Sequence, residues 1–120
     1  MAIQKTVLII DDDPDMRYFC KQVLERAGYR VLTADNGAEG MNYAHTVKPD
    51  CVVLDIVMEK IDTGYTVADK LGPDVPILMI SSILNESDQV VDSSRLPFRE
   101  MLKKPIDAET LLDKVKKLAG

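Results

Sequence analysis

Short apolar runs recur along the chain, and each predicts a β-strand. The four clearest runs are residues 7–10, 29–33, 51–54 and 77–80. All but the second lack polar alternation, which is typical of parallel strands that are covered on both faces. A fifth run, residues 99–103, alternates charged residues with Met101 and Leu102 and predicts an exposed edge strand.

Two segments outside these runs have a clear helical period. The first begins after Asp13, carries Pro14 in its first turn and stops at Gly28. The second follows Asp107, the expected N-cap, and carries lysines near its C-terminal end. We predict a stable helix for each segment.

Three weaker elements complete the alternation of strands and helices. We expect one helix after Asn36 and Gly37, another around residues 67–71, and a short helix with an irregular link within residues 85–100. The resulting order, βαβαβαβαβα, implies right-handed crossovers and an open parallel sheet with helices on both faces. We therefore predict an α/β fold and a single domain over residues 1–120.

The composition agrees with one packed domain. The chain has 120 residues, 46% of them hydrophobic and 29% charged, and this balance argues against a disordered or low-complexity protein. Its formal net charge of -5 would repel the phosphates of a nucleic acid. No apolar run approaches the roughly 20 residues of a membrane span, and the first residues lack the apolar region of a signal peptide, so the expected compartment is the cytoplasm.

The two cysteines, Cys20 and Cys51, lie within apolar segments. They share no spacing typical of metal ligands. We expect buried, reduced thiols rather than a disulfide or a zinc site.

Polar residues follow the predicted strands where the strands end. They are Asp11, Asp12 and Asp13 after the first strand, Asp55 after the third, Ser81 and Ser82 after the fourth, and Lys104 after the last. In a parallel sheet these ends share one edge, where open α/β proteins bind ligands. Carboxylates gathered there repel one another unless a cation neutralises them, and oxygen-only ligands favour Mg²⁺. A lysine and a hydroxyl opposite the metal suit a phosphoryl group, for which an aspartate can be the nucleophile.

A simpler interpretation is that these aspartates only cap helices and end strands. We prefer it for Asp13 and Asp15, which flank a predicted helix start. For the other acids and the lysine, the coincidence of several reactive groups at one edge favours a functional site.

Four segments resemble the receiver domain of two-component response regulators. They are IIDDDP at residues 9–14, VLDIVM at 53–58, PILMISS at 76–82 and KKP at 103–105. Their order and spacing agree with that family over the whole chain. The resemblance implies a CheY-like, flavodoxin-type fold with a doubly wound sheet of five parallel strands in the order 2-1-3-4-5.

The resemblance also implies roles for individual residues. It implies that Asp55 is the phosphoacceptor, that Asp11, Asp12, Asp55 and the backbone carbonyl of Val57 hold Mg²⁺, and that Ser81 and Lys104 contact the phosphoryl group. Met101 stands where the family commonly has a Tyr or Phe that moves on activation, so it is an expected switch residue with Ser81. Glu59 and residues 62–64 depart from the family pattern and alter the loop after the phosphoacceptor.

The implied function is that of a signalling module. The chain would accept a phosphoryl group from the phosphohistidine of a sensor histidine kinase or a phosphotransfer protein, and would assist its own phosphorylation and dephosphorylation without being a turnover enzyme. Phosphorylation would change a surface that binds a downstream protein, as a monomer or as a phosphorylation-dependent dimer. We expect no output domain in this chain, no nucleic-acid binding through it and no membrane association.

Three alternative functions are weighed against this one. A non-phosphorylated pseudo-receiver that only binds proteins is compatible with Met101 and the altered loop, although the intact site residues speak against it. A Mg²⁺-dependent phosphatase with an aspartyl nucleophile would need a substrate pocket or cap, for which 120 residues leave little chain. A flavin carrier would need a phosphate loop rich in Ser, Thr and Gly, whereas residues 11–15 would repel phosphate.

Overall fold

The computed structural model of the protein describes residues 4–55, 75–81, 100–103 and 105–120. Its strands are β1 (Thr6–Ile10), β2 (Arg30–Ala34), β3 (Cys51–Asp55), β4 (Ile77–Ser81) and β5 (Glu100–Lys103). The described helices are α1 (Pro14–Arg26), α2 (Gly37–Val47) and α3 (Ala108–Ala119). All neighbouring strands are parallel, in the order β2-β1-β3-β4-β5. This confirms the doubly wound α/β fold and the predicted edge position of the last strand.

Strand β1 is an interior strand of the described sheet. It pairs with β2 on one side and with β3 on the other. Its side chains alternate between the two faces of the sheet, so that Val7 and Ile9 enter one apolar cluster while Leu8 and Ile10 enter the other. All four side chains are buried. An uninterrupted apolar run is what a strand covered on both faces requires.

The helices divide between the two faces. The connections from β1 to β2 and from β2 to β3 run in opposite directions across the sheet, so right-handed crossovers place α1 and α2 on opposite faces. Helices α1 and α3 contact each other and bury Leu24 and Leu111 against the face of Val7. Helix α2 buries Ala44 on the other face. Both faces of the sheet are thus covered, as predicted.

Strand β2 begins one residue later than its apolar run predicted. The backbone N–H of Tyr29 donates to the carbonyl oxygen of Leu24 at 3.1 Å and so belongs to the turn after α1. The N–H of Arg30 donates to the carbonyl oxygen of Lys5 at 2.9 Å and opens the ladder with β1. At its other end the strand runs to Ala34, one residue beyond the predicted run.

Side-chain caps begin all three described helices. The capping pairs are the carboxylate of Asp13 with the N–H of Asp15 (2.9 Å), the amide oxygen of Asn36 with the N–H of Glu39 (2.8 Å), and the carboxylate of Asp107 with the N–H of Thr110 (2.7 Å). The last of these bonds favours the charged carboxylate and holds the pKa of Asp107 below its usual value. Gly28 follows α1 at a φ of 97°, in the left-handed region that favours glycine. These features confirm the predicted ends of α1 and the predicted N-cap of α3.

The amino end of the sheet is fixed by reciprocal hydrogen bonds between Thr6 and Asp50. The N–H of Thr6 donates to Oδ2 of Asp50 at 2.8 Å, and the N–H of Asp50 donates to the carbonyl oxygen of Thr6 at 2.8 Å. These bonds hold the start of β1 against the start of β3. They support the register that pairs Ile10 with Leu54 at the other end of the two strands.

Both cysteines are buried and unlinked, as predicted. Burial and, to a smaller extent, the nearby carboxylate of Asp50 together raise the pKa of the Cys51 thiol to about 12. The thiol is therefore neutral in the folded protein and packs as a small apolar group. Cys20 lies in the same apolar cluster, on α1.

Two predicted elements lie outside the described residues. They are the helix around residues 67–71 and the short helix within residues 85–100. None of the described helices is long and apolar enough to cross a membrane.

Gly40→Ala is expected to destabilise the protein. Helix α2 approaches β1 so closely that a Cβ at position 40 would lie 2.8 Å from Cγ1 of Ile10 and closer still to its Cδ1. In an unhindered helix interior the same change would stabilise by about 1 kcal/mol, because alanine favours helix more than glycine does. A free energy of unfolding lower than that of the wild type, measured by urea denaturation, would therefore support the close contact between α2 and β1.

Ile10→Val supplies the matched control because it removes Cδ1. Alone it should cost about 0.5–1.5 kcal/mol, as usual for a buried Ile→Val change. In the Gly40→Ala background it should cost less, since the closest part of the clash, the contact with Cδ1, is removed. Strict additivity of the two changes would contradict the predicted contact.

Folding stability should fall above pH 9, partly because the Cys51 thiol ionises more readily in the unfolded chain than in the folded one. The thiol ionises near pH 9.0 in the unfolded chain and near 12 in the folded one, so the folded state binds more protons between these values. The stabilisation is complete below pH 9 and is lost as pH rises, by about 1.4 kcal/mol per pH unit. Urea denaturation at several pH values should show a smaller alkaline loss for Cys51→Ala than for the wild type. Equal pH slopes would rule out this contribution.

Candidate functional site

Asp11 stands directly after the buried end of β1. Its N–H donates to the carbonyl oxygen of Ala34 at 3.1 Å, which continues the contact with β2 by one residue. Its Oδ1 accepts a hydrogen bond from the N–H of Asp13 at 2.9 Å. The side chain is only 3% exposed. A buried carboxylate is therefore held in place at the carboxyl edge of the sheet.

Asp55 lies beside Asp11 because of the strand register. Ile10 pairs with Leu54 in the parallel ladder, so the residues that follow them are neighbours across β1 and β3. Asp55 is 5% exposed, whereas Asp12 is exposed to solvent. One carboxylate oxygen from each of the three aspartates lies within 4.8 Å of the other two. The structure thus brings together the three acids that the sequence predicted as metal ligands, here called the acidic cluster.

The acidic cluster has the chemistry of a hard-cation site. Like charges this close repel one another, and a bound divalent cation would offset that repulsion. Oxygen atoms in an octahedral Mg²⁺ shell are about 3–4.2 Å apart, given metal–oxygen bonds of about 2.1 Å. The carboxylate oxygens of the acidic cluster lie within 4.8 Å of one another, so at most small side-chain movements would complete the geometry. The three carboxylates therefore fit Mg²⁺.

Arg17 adds a positive group to the turn that carries the acidic cluster. Its Nη1 donates to the backbone carbonyl oxygen of Asp11 at 2.7 Å. Its own N–H donates to the carbonyl oxygen of Asp13 at 3.0 Å, in the first turn of α1. The side chain is half-buried. The start of α1 is therefore attached to the site as well as capped.

Sequence reasoning did not identify Arg17. One signal was available: Arg17 lies three residues before the buried Cys20, and residues three apart share a face of a helix. A basic residue on the inward face of the first helical turn lies close to the residue that follows the preceding strand. The acceptor of its hydrogen bond is a main-chain carbonyl oxygen, and every residue has one, so the sequence does not indicate which carbonyl Arg17 contacts.

Asp13 has the structural role that the sequence predicted. It caps α1 through the N–H of Asp15, and it does not belong to the acidic cluster. Asp15 is exposed in the first turn, where a negative charge interacts favourably with the helix dipole. The run of three aspartates is thus divided between the site and the helix.

The remaining predicted site residues are described only in part. The backbone of Ser81 ends β4 and pairs with Lys103, one step beyond Ile80, which pairs with Asp55. This places Ser81 at the same carboxyl edge as the acidic cluster. The backbone of Met101 pairs with Met79 within β5. The side chains of Ser81 and Met101 lie outside the described part of the structure.

Lys104 and Val57 also lie outside the described residues. Lys104 directly follows the last residue of β5, and Val57 follows Asp55 by two positions. Their predicted roles, and the predicted changes in the loop from Glu59 to Gly64, stay predictions.

Comparison with known proteins identifies relatives of this arrangement. A family model described as the response regulator receiver domain matches residues 7–116. The chain is 37% identical over 111 residues to protein PilH of Pseudomonas aeruginosa, an alignment that covers 88% of this chain and 90% of PilH. A crystal structure of a CheY-like response regulator receiver domain protein from Methanospirillum hungatei matches with a TM-score of 0.86 and 25% identity, covering 98% of this chain and 94% of that one.

Some relatives are much longer than this chain. The DNA-binding dual master transcriptional regulator RpaA of Synechocystis is 35% identical over 119 residues, which cover 93% of this chain but 48% of RpaA. The chain therefore spans about half the length of that regulator.

Asp55→Asn is expected to stabilise the metal-free protein. The change keeps the shape of the side chain but removes one charge from the acidic cluster, so it relieves the repulsion. We expect a gain on the order of 1 kcal/mol in the free energy of unfolding, measured by urea denaturation in the presence of a chelator.

Asp15→Asn is the matched control for this change. It alters the net charge equally but removes a favourable interaction with the dipole of α1, so stability should stay the same or fall slightly. A loss of stability in Asp55→Asn, or an equal gain in both variants, would contradict repulsion within the acidic cluster.

Proposed function

The chain belongs to the response regulator receiver domain family, and we propose that it accepts a phosphoryl group on Asp55 in a two-component phosphorelay. The observation that carries this proposal is the acidic cluster, in which Asp55 adjoins Asp11 and Asp12 at the carboxyl edge of the sheet. Such an edge is where open α/β proteins bind ligands. Asp55 is the member of the cluster that ends a central strand, and its position is fixed by pairing on both sides of β3.

Asp11, Asp12 and Asp55 would hold Mg²⁺, with the backbone carbonyl of Val57 as a fourth protein ligand. When bound, the cation supplies positive charge that offsets these carboxylates and the oxygens of an incoming phosphoryl group. The buried Asp11 would keep its orientation through the N–H of Asp13. The exposed Asp12 would leave the open side of the site accessible to solvent and to a donor.

Asp55 would act as the nucleophile. An oxygen of its carboxylate would attack the phosphorus atom of a phosphohistidine, and the new oxygen–phosphorus bond would form as the nitrogen–phosphorus bond breaks. The imidazole, whose other ring nitrogen already carries a proton in the phosphohistidine, would take the electron pair of the broken bond and leave as neutral imidazole. Ser81 would donate a hydrogen bond to the transferred group, and Lys104 would pair with one of its oxygens. The chain is in this scheme a phosphoacceptor that assists the transfer, not an enzyme that turns over a substrate.

Phosphorylation of Asp55 would shift the chain between two conformations. Contacts of the phosphoryl group with Ser81 and Lys104 would act on the ends of β4 and β5, and Met101 lies within β5. A downstream protein would then bind the changed surface beside β5. Phosphorylation-dependent dimerisation would use the same change.

The proposed donors are a sensor histidine kinase or a phosphotransfer protein. Both present a phosphohistidine, whose nitrogen–phosphorus bond suits transfer to a carboxylate. The name of RpaA describes DNA binding by that regulator, and about half of its length lies outside the match. We propose for this chain a phosphoacceptor role that does not itself involve DNA, in line with its net charge of -5.

Incubation with Mg²⁺ and acetyl phosphate should add one phosphoryl group to the protein. Intact-mass spectrometry would detect it, and the addition should disappear with Asp55→Asn or with a chelator. Asp50→Asn is the matched control, because Asp50 precedes the same strand at its opposite end and accepts a hydrogen bond that an asparagine oxygen can also accept. This variant should be phosphorylated like the wild type.

Two results would overturn the proposal. Phosphorylation that persists in Asp55→Asn would assign another nucleophile. No phosphorylation of the wild type, together with no measurable Mg²⁺ binding, would favour the pseudo-receiver function.

A further inference from the structure

Asp11 is held at three of its polar atoms. Its N–H is bonded to Ala34, its Oδ1 to the N–H of Asp13, and its carbonyl oxygen to Nη1 of Arg17. The partners in the first two bonds are main-chain groups of β2 and of the turn itself. The third comes from a side chain on α1, and it is the shortest of the three at 2.7 Å.

The turn after β1 works against electrostatic repulsion. It holds two carboxylates of the acidic cluster next to a third from β3, with oxygens within 4.8 Å. In the metal-free protein this repulsion favours any movement of the turn that separates Asp12 from Asp55. A bond that fixes the main chain at Asp11 opposes such a movement, because Asp12 is the next residue.

We propose that Arg17 is a positioning residue for the cation site. Its guanidinium fixes the carbonyl of Asp11, and through it the turn of residues 11–13, in the conformation that presents the acidic cluster before a cation binds. The inference rests on the proposed function, because it concerns the same acidic cluster. Arg17 contacts the main chain of Asp11, so it acts through the turn and not on the phosphoryl group.

The charge and the hydrogen bond of Arg17 act in opposite directions on cation affinity. A positive charge near the site repels Mg²⁺, so a purely electrostatic role predicts tighter binding once it is removed. Fixing the turn lowers the free energy needed to bring the carboxylate ligands together, so a positioning role predicts weaker Mg²⁺ binding once Arg17 is removed. Groups that orient metal ligands typically change metal affinity by about 10–100-fold when removed. The sign of the change therefore distinguishes the two roles.

Arg17→Met and Arg26→Met form a matched pair for the test. Both remove one positive charge from α1, but the two positions are nine apart in the sequence, or roughly 13 Å along the helix axis. Mg²⁺ binding to each variant of the chain is measured by calorimetric titration. Arg17→Met should bind Mg²⁺ about tenfold more weakly than the wild type, and Arg26→Met should bind like the wild type. Arg17→Lys, which keeps a donor and the charge, should lie between.

Hydrogen exchange in the metal-free protein provides a second readout. The N–H of Asp13, which donates to Asp11, should exchange on the order of tenfold faster in Arg17→Met. The amides of Leu8 and Val53, within the central ladder, should keep their wild-type rates. A general loss of stability would accelerate all three amides together and would overturn the positioning role.

The results separate this inference from the proposed function. Unchanged or tighter Mg²⁺ binding in Arg17→Met, while the wild type binds Mg²⁺ and is phosphorylated on Asp55, overturns the role of Arg17 alone. If the wild type binds no Mg²⁺, the proposed function fails. The exchange rate of the Asp13 amide then still decides whether Arg17 fixes the turn.

Discussion

The enclosure of β1 is the constraint on which the rest of the structure depends. Residues 7–10 of β1 have partner strands on both edges and apolar clusters on both faces, which leaves no place for a polar side chain within this stretch. The next polar residue therefore comes where the strand leaves the core, and that residue is Asp11. Because β3 is enclosed in the same way and paired in register, Asp55 emerges at the same level. The position of the acidic cluster thus follows from the apolar length of two strands.

This enclosure also explains how a destabilising group of charges is tolerated. Two of the three carboxylates in the acidic cluster are almost completely buried, and each is the neighbour of a fully buried apolar residue. Repulsion between carboxylates at this distance opposes their close placement. The apolar clusters and the sheet ladder hold the backbone in place against this cost, as is common where function requires a strained site. The pairing of β1 with β3 therefore determines where Asp11 and Asp55 meet.

The sequence was sufficient for features that depend on local pattern. The uninterrupted apolar runs located β1, β3 and β4, and Pro14 and Gly28 located the ends of α1. The members of the acidic cluster were also predictable, because parallel strands bring their carboxyl ends to one edge. Features that depend on how elements meet were not predictable in this way. The turn contact of Tyr29 moves the start of β2 one residue later than predicted. Gly40 lets α2 approach β1, and Arg17 reaches a main-chain oxygen.

The three residues that join β1 to α1 leave no room for a change in length. Asp11 ends the core, Asp12 faces solvent within the acidic cluster, and Asp13 caps the helix. Removing or adding one residue here would rotate α1 by about 100° relative to the strand, because a helix has 3.6 residues per turn. The half-buried Arg17 and the inward-facing Cys20 would both leave their places. Related chains that keep this site should therefore differ in this connection by substitution and not by insertion or deletion.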